Sequence, residues 1–146
     1  MKAKIALALI VTGFFVIVFA ADSPKQGVVH LEHEKVAAAF AKGMPLLATN
    51  NFKVQAGRRI APGEVEIHDH DTDIFYILEG SATFVTGGTA IETRVNSPGE
   101  TRAKEIRGGQ DNHLVKGDII VIPNGVPHWF KEVEGPFLYY VVKVSK

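Results

Sequence analysis

Residues Gly63 to Gly80 read GEVEIHDHDTDIFYILEG, and the rest of the chain is interpretable from this stretch outward. Two imidazoles, His68 and His70, stand one residue apart and are followed by acids at Asp71 and Asp73. The run Ile74 to Leu78 is β-branched, aromatic and aliphatic, a composition that favours a strand. Alternate side chains of a strand share a face, so His68 and His70 are expected to point the same way, about 7 Å apart along the backbone. That spacing lets both bind one metal ion. Taken alone, two solvated strand histidines would be the better account of it, since the chain has six histidines. The same alternation turns Glu66 to the side of His68, and on the next strand puts Asp73, Phe75 and Ile77 on one face.

A second stretch, Gly117 to His128, reads GDIIVIPNGVPH: a turn, a buried strand, another turn and a third histidine. Together the two stretches resemble the paired signature motifs of the cupin superfamily, small β-barrels that hold a metal inside. The first family motif is matched by Gly63, His68, His70, Asp73 and Gly80, the second by Gly117, Pro123, Gly125 and His128. The resemblance implies that His68, His70, Asp73 and His128 are the metal ligands. It also implies an all-β fold, the double-stranded β-helix or jelly-roll barrel, and it spans Gly63 to Glu132 directly. The chain departs from the family pattern in carrying Asp73 where Glu is usual, with only two residues between it and His70, and Glu132 in place of the final asparagine.

The 146 residues, 46% of them hydrophobic, suit one globular domain with one core. With no cysteine, neither a disulfide framework nor a thiolate metal site is available. A formal net charge of zero argues against a general nucleic-acid surface. Lys2 and Lys4 precede an apolar run from Ile5 to Phe19, which reads as a secretory signal peptide over residues 1–20, cleaved after Ala20. A retained anchor is the alternative, although about 17 apolar residues fall short of the roughly 20 that span a bilayer. Either way the domain is expected to be exported, periplasmic or secreted, with no membrane contact beyond that segment. Loss of Lys2 and Lys4 leaves 14 basic residues against 16 acidic ones.

Residues 21–30, with Ser23-Pro24 and Gly27, have the composition of a linker, and 31–146 form the domain. Glu32 to Lys42 carries Val36, Ala39 and Phe40 at helical spacing and stops at Gly43 and Pro45, predicting one short N-terminal helix packed outside the barrel. From Pro45 onward the period is two, in short runs separated by Gly, Pro and Asn turns. Glu79-Gly80 and Gly87-Gly88 are expected to close hairpins, and His128 to Val133 and Phe137 to Val144 to be separate strands. Many short strands with one helix predict an antiparallel jelly roll. A homodimer through unpaired sheet edges is the expected assembly if the chain associates.

Alternation around the third histidine groups His128, Phe130 and Glu132 on one side and predicts a largely apolar cavity, with charge confined to the ligands and Glu132. Glu132 is therefore the candidate catalytic base, with Asp73 as the alternative. Arg59, two strands earlier, is a candidate contact for an anionic substrate, against an ordinary surface role. Three imidazoles and a carboxylate suit one divalent first-row ion, whether iron, manganese, nickel, copper or zinc. Two uses follow: an enzyme of dioxygenase or isomerase type acting on a small oxygen-bearing substrate, or a module that binds a small ligand or metal without turnover.

Overall fold

The computed structural model describes residues 27–146; the expected signal segment and most of the linker lie outside them. Among the described residues a single helix, α1 (His33–Lys42), precedes eleven strands. Glu34 in its first turn and Lys42 in its last complement the helix dipole. Gly43, at φ 68°, ends it in the left-handed conformation and donates its N–H to the carbonyl of Ala39. Ala39 is its buried residue, and Phe40 lies 6.4 Å from the ring of Tyr140, so the helix packs outside the barrel as its spacing predicts. Among the described residues no helix is long and apolar enough to cross a membrane.

The strands are β1 (Pro45–Ala48), β2 (Phe52–Arg59), β3 (Val65–His68), β4 (Asp71–Thr86), β5 (Thr89–Ile91), β6 (Arg94–Ser97), β7 (Glu100–Ala103), β8 (Glu105–Arg107), β9 (Gln110–Val115), β10 (Ile119–Ile122) and β11 (His128–Ser145). Every pairing is antiparallel. Two long strands, β4 with 16 residues and β11 with 18, run side by side and bend together. Gly80 marks the bend on β4, at φ 78°, where a Cβ would stand 2.8 Å from the Pro136 carbonyl. Gly135-Pro136 marks it on β11, inside the shift of register between Glu134 and Leu138. Beyond the bend on one side, β11 pairs with β2, and β4 with β10. On the other, β11 meets β3 through His128 and Glu66, and β4 pairs with β9. The result is two sheets that share their two longest strands, the jelly roll predicted from the sequence.

The bend corrects two expectations. Glu79-Gly80 does not close a hairpin, because the close approach of two bent strands, and not a reversal, is what requires glycine there. For the same reason His128–Val133 and Phe137–Val144 belong to one strand. Gly87-Gly88 is a turn, with φ of 70° and 69°, but it delivers the chain to β5, which pairs with β8 and not with β4.

Between the sheets lies an aromatic core of Phe75, Phe84, Phe130, Phe137 and Tyr139, closed by Ile77, Ile122 and Val141. Phe84 and Phe130 are 4.5 Å apart between centroids, and Phe130 and Tyr139 stack at 5.2 Å. Gly57 lets Tyr139 lie flat on β2, since a Cβ there would fall 2.2 Å from the ring. One end of this space stays open and is occupied by polar side chains.

Candidate metal centre

Five side chains converge at that open end, and the two sheets supply them from opposite directions. Glu66 and His68 come from β3 and His128 from the start of β11, whereas Asp73 and Lys143 come from β4 and β11 beyond the bend, where they are cross-strand partners. His68, Asp73 and His128 are buried, and the imidazole centroids of His68 and His128 are 5.2 Å apart. Asp73 Oδ2 lies 3.5 Å from His68 Nε2 and 3.7 Å from His128 Nε2. Ligand atoms of Glu66, His68 and His128 all fall within 4.8 Å of one another, so these three could hold a metal ion.

His128 is set up as a ligand. Its Nδ1 lies 3.0 Å from the Val126 carbonyl, the arrangement in which Nδ1–H donates and Nε2 carries the lone pair. Burial lowers its proton affinity, outweighing the Val126 contact and the nearby Asp73, so the ring is neutral at physiological pH. Its Nε2 and the Asp73 Oδ1 are both buried without a hydrogen-bond partner. Two buried orphan atoms on one chamber are what a site for a cation or polar ligand requires, because leaving them bare carries a desolvation cost.

Glu66 is fixed from behind. Its Oε1 forms an ion pair with Arg102 at 2.6 Å and accepts from Arg59 at 3.3 Å, leaving Oε2 on the side of His68, 3.4 Å from Nε2. Arg102 is held in turn by Glu100. Arg59 also donates through Nε to the Tyr139 hydroxyl at 3.2 Å and lies 4.5 Å over the Phe130 ring. Arg59 therefore faces the chamber, with its guanidinium already engaged. Burial acts to raise the Glu66 carboxyl, but His68 and Arg102 hold it far below the usual carboxylate range. Asp73 is lowered too, with His68 and Lys143 outweighing its burial.

The remaining placements differ from the sequence reading. His70 is exposed and does not line the chamber. β3 ends at His68, and the chain bends through Asp69 and His70, with the Asp69 N–H donating to the Gly99 carbonyl at 2.9 Å. Alternation does not carry across a bend, so His68 and His70 do not share a face. Glu132 is also outside: β11 is bulged between Phe130 and Glu132, and the side chain accepts from the Thr83 hydroxyl at 2.9 Å on the outer surface. One extra residue reverses the parity that pointed it inward. Nor is the chamber apolar. It measures about 310 Å³, and four basic and five acidic side chains line it beside Phe75, Phe130 and Val141. Sequence reasoning set Glu66 inward by parity but gave it no role, and passed over Lys143 and Arg102.

Lys143 Nζ lies 2.8 Å from His68 Nε2 and donates to Asp73 Oδ2. For His68, burial works against protonation, but Asp73 and Glu66 prevail and push its pKa up to about 9. Both flanks of a stability profile follow for metal-free protein. Glu66 and Asp73 have folded values below their unfolded ones, so their contribution is present above the ordinary carboxylate range and lost as pH falls through and below about 4. His68 has a raised value, so its contribution is complete below its ordinary 6.5 and is lost as pH rises through about 9. His128 has a lowered value, so its contribution is present above its ordinary 6.5 and is lost as pH falls below it. Chemical unfolding from pH 2 to 10 is therefore expected to show a maximum near about 6.5 with decline on both sides; a profile still rising as pH falls below about 4 would contradict the assigned directions.

A family model described as Cupin matches residues 19–146 of the chain. Among solved structures, the chain is similar to BH2720 of Bacillus halodurans, with a TM-score of 0.57 and 16% identity over 86% of each chain. It is similar also to TT1209 of Thermus thermophilus, with a TM-score of 0.52 and 17% identity over 70% of this chain and 81% of that one. The cupin domain of Schizosaccharomyces pombe Cnp3 superposes with a TM-score of 0.52 at 15% identity, covering 71% of this chain and 60% of that one. Likeness at these identities is a likeness of fold. No curated protein matches the chain.

Proposed function

Since the chain belongs to the cupin family, we propose that it is an exported metal-binding protein whose chamber takes a small oxygen-bearing ligand at a centre of His68, His128 and Glu66, with Asp73 beside them. The observation that carries this reading is His128, whose Nε2 is buried and without a partner, and which offers a ligand atom within 4.8 Å of those of His68 and Glu66. Two imidazoles and a carboxylate are a donor set for divalent first-row ions, and leave coordination positions open. A bound ion would supply Lewis acidity toward an oxygen-bearing ligand.

The chain's own residues supply the rest. Val126 fixes the tautomer of His128, and Arg102 and Arg59 orient Glu66, the kind of outer contact that sets ligand geometry. Phe75, Phe130 and Val141 form a wall that excludes water from one side of the ligand. Asp73 Oδ1, buried and unpartnered, is the carboxylate oxygen that would accept a hydrogen bond from a ligand in the chamber, a part that Glu132 cannot play from the outer surface. A ligand chelating through two oxygens would have its reacting atoms positioned against that carboxylate.

Elemental analysis of protein purified from its native compartment should find about one divalent first-row ion per chain, and the melting temperature of metal-stripped protein should rise with added ion, as mass action requires. No rise with iron, manganese, nickel, copper or zinc would reject the metal centre. Turnover is tested separately, by oxygen uptake and product analysis of the fully metallated protein with enolisable, phenolic or diketone compounds. Saturable binding with neither uptake nor product would move the reading to a non-catalytic binding module.

Export rests on Lys2, Lys4 and the apolar run that follows them. Intact-mass measurement of exported material should give a chain beginning at Ala21; material retaining residues 1–20 would reject cleavage, and a cytoplasmic location would reject export.

A further inference from the structure

Lys143 is the residue of the chamber that the metal reading leaves without a part. β11 turns Tyr139, Val141 and Lys143 successively inward, the first two buried in the core and the third reaching the polar end. The Lys143 side chain is 13% exposed, a costly position for a charge unless it is paired. Its partners are Asp73 Oδ2 and His68 Nε2, atoms from the set that would bind the ion.

A first-row ion held by His68 Nε2 would need the space beside that nitrogen, about 2.1 Å from it, and Lys143 Nζ now lies 2.8 Å from the same atom while donating to Asp73 Oδ2. A divalent charge a few ångströms from an ammonium in a half-buried chamber would also be repelled by it. Resting on the metal centre proposed above, we infer that Lys143 is an internal cation that competes with the metal: it neutralises Asp73 and occupies His68 in metal-free protein, and must leave both for the ion to bind. The residue thus serves opposite ends. It stabilises the empty ligand set by pairing with the buried Asp73 carboxylate, and it weakens the affinity of the site for any divalent ion.

Cobalt(II), which reports its coordination by its visible absorption, is the probe. Titration of metal-stripped wild-type protein is compared with Lys143→Met, which keeps the apolar stem and removes the ammonium, and with Lys143→Gln, which also keeps a donor for Asp73 should the first variant fold poorly. Lys53→Met removes a lysine from the rim of the same chamber, where the side chain is 45% exposed. Both Lys143 variants are expected to bind cobalt at least about tenfold more tightly than wild type, and Lys53→Met to change affinity by less than about threefold, because solvent screens the rim charge. Without metal, Lys143→Met should melt below wild type. Cobalt binding by Lys143→Met but not by wild type would support the inference in its strongest form. Wild-type binding with equal or weaker binding in both Lys143 variants would overturn it and leave the metal centre standing. Absence of binding in all of them would overturn both. An equal gain in Lys53→Met would overturn it as well, since the effect would then be one of net charge.

Discussion

His128→Ala is expected to abolish divalent-metal binding at micromolar ion, whereas His70→Ala leaves it within about threefold of wild type. Loss of an outer partner of a ligand already costs about 10- to 100-fold in affinity, and loss of a ligand should exceed that. His128 Nε2 is buried beside His68 and Glu66, with a tautomer fixed by Val126. His70 is exposed on a bend held by the Asp69 to Gly99 hydrogen bond, and its carbonyl is bonded to the Lys146 N–H. To reach the ion, His70 would have to break that bend. Glu66→Gln should lower affinity as well, since it removes the carboxylate while keeping the shape that Arg59 and Arg102 pack against. Titration calorimetry on metal-stripped protein, with circular dichroism to establish folding, separates the two histidine sets. If His70→Ala abolished binding and Glu66→Gln did not, the ligands would be those of the family motif, and the bend would have to rearrange as the ion enters.

The two motifs made much of this site legible. Glycines at 63, 80, 117 and 125 with histidines at fixed distances pointed to a jelly roll, and period-two alternation on β4 put Asp73, Phe75 and Ile77 inward, as they are. Alternation failed where a strand ended or slipped. Whether β3 continues past His68 is decided by Gly99, about thirty residues away in the chain, and whether Glu132 faces inward by a bulge opposite Phe84 and Thr83. Neither is written in the local pattern. Lys143 was illegible for a further reason: a lysine near the end of a chain reads as surface, and its partnership with Asp73 exists only because β4 and β11 pair over that register. The expectation of an apolar chamber failed because it counted one strand face at a time, while Arg59, Arg102 and Glu66 arrive from three strands and neutralise one another.

Phe84→Ala should have the largest effect on stability of any single core truncation, a loss of about 3–5 kcal/mol. The side chain is fully buried, and its ring packs against Phe130 at 4.5 Å, Phe75 at 5.7 Å and His128 at 5.9 Å. These neighbours sit on β4 and β11, the strands that both sheets share, so the cavity cannot close by moving one sheet alone. A domain of this size is stable by roughly 5–15 kcal/mol, and the loss is therefore a large fraction of the whole. Tyr76→Ala, on the outer face of β4 and 44% exposed, should cost less than about 1 kcal/mol. Urea unfolding of metal-stripped protein measures both, through a shift of midpoint at constant slope. The same truncation of Phe84 should weaken metal binding, because its ring supports that of His128, and saturating metal should restore part of the lost stability by mass action. A Phe84→Ala protein that unfolds at the wild-type midpoint would mean that the aromatic cluster does not hold the two sheets together, and the placement of His128 would then need another explanation.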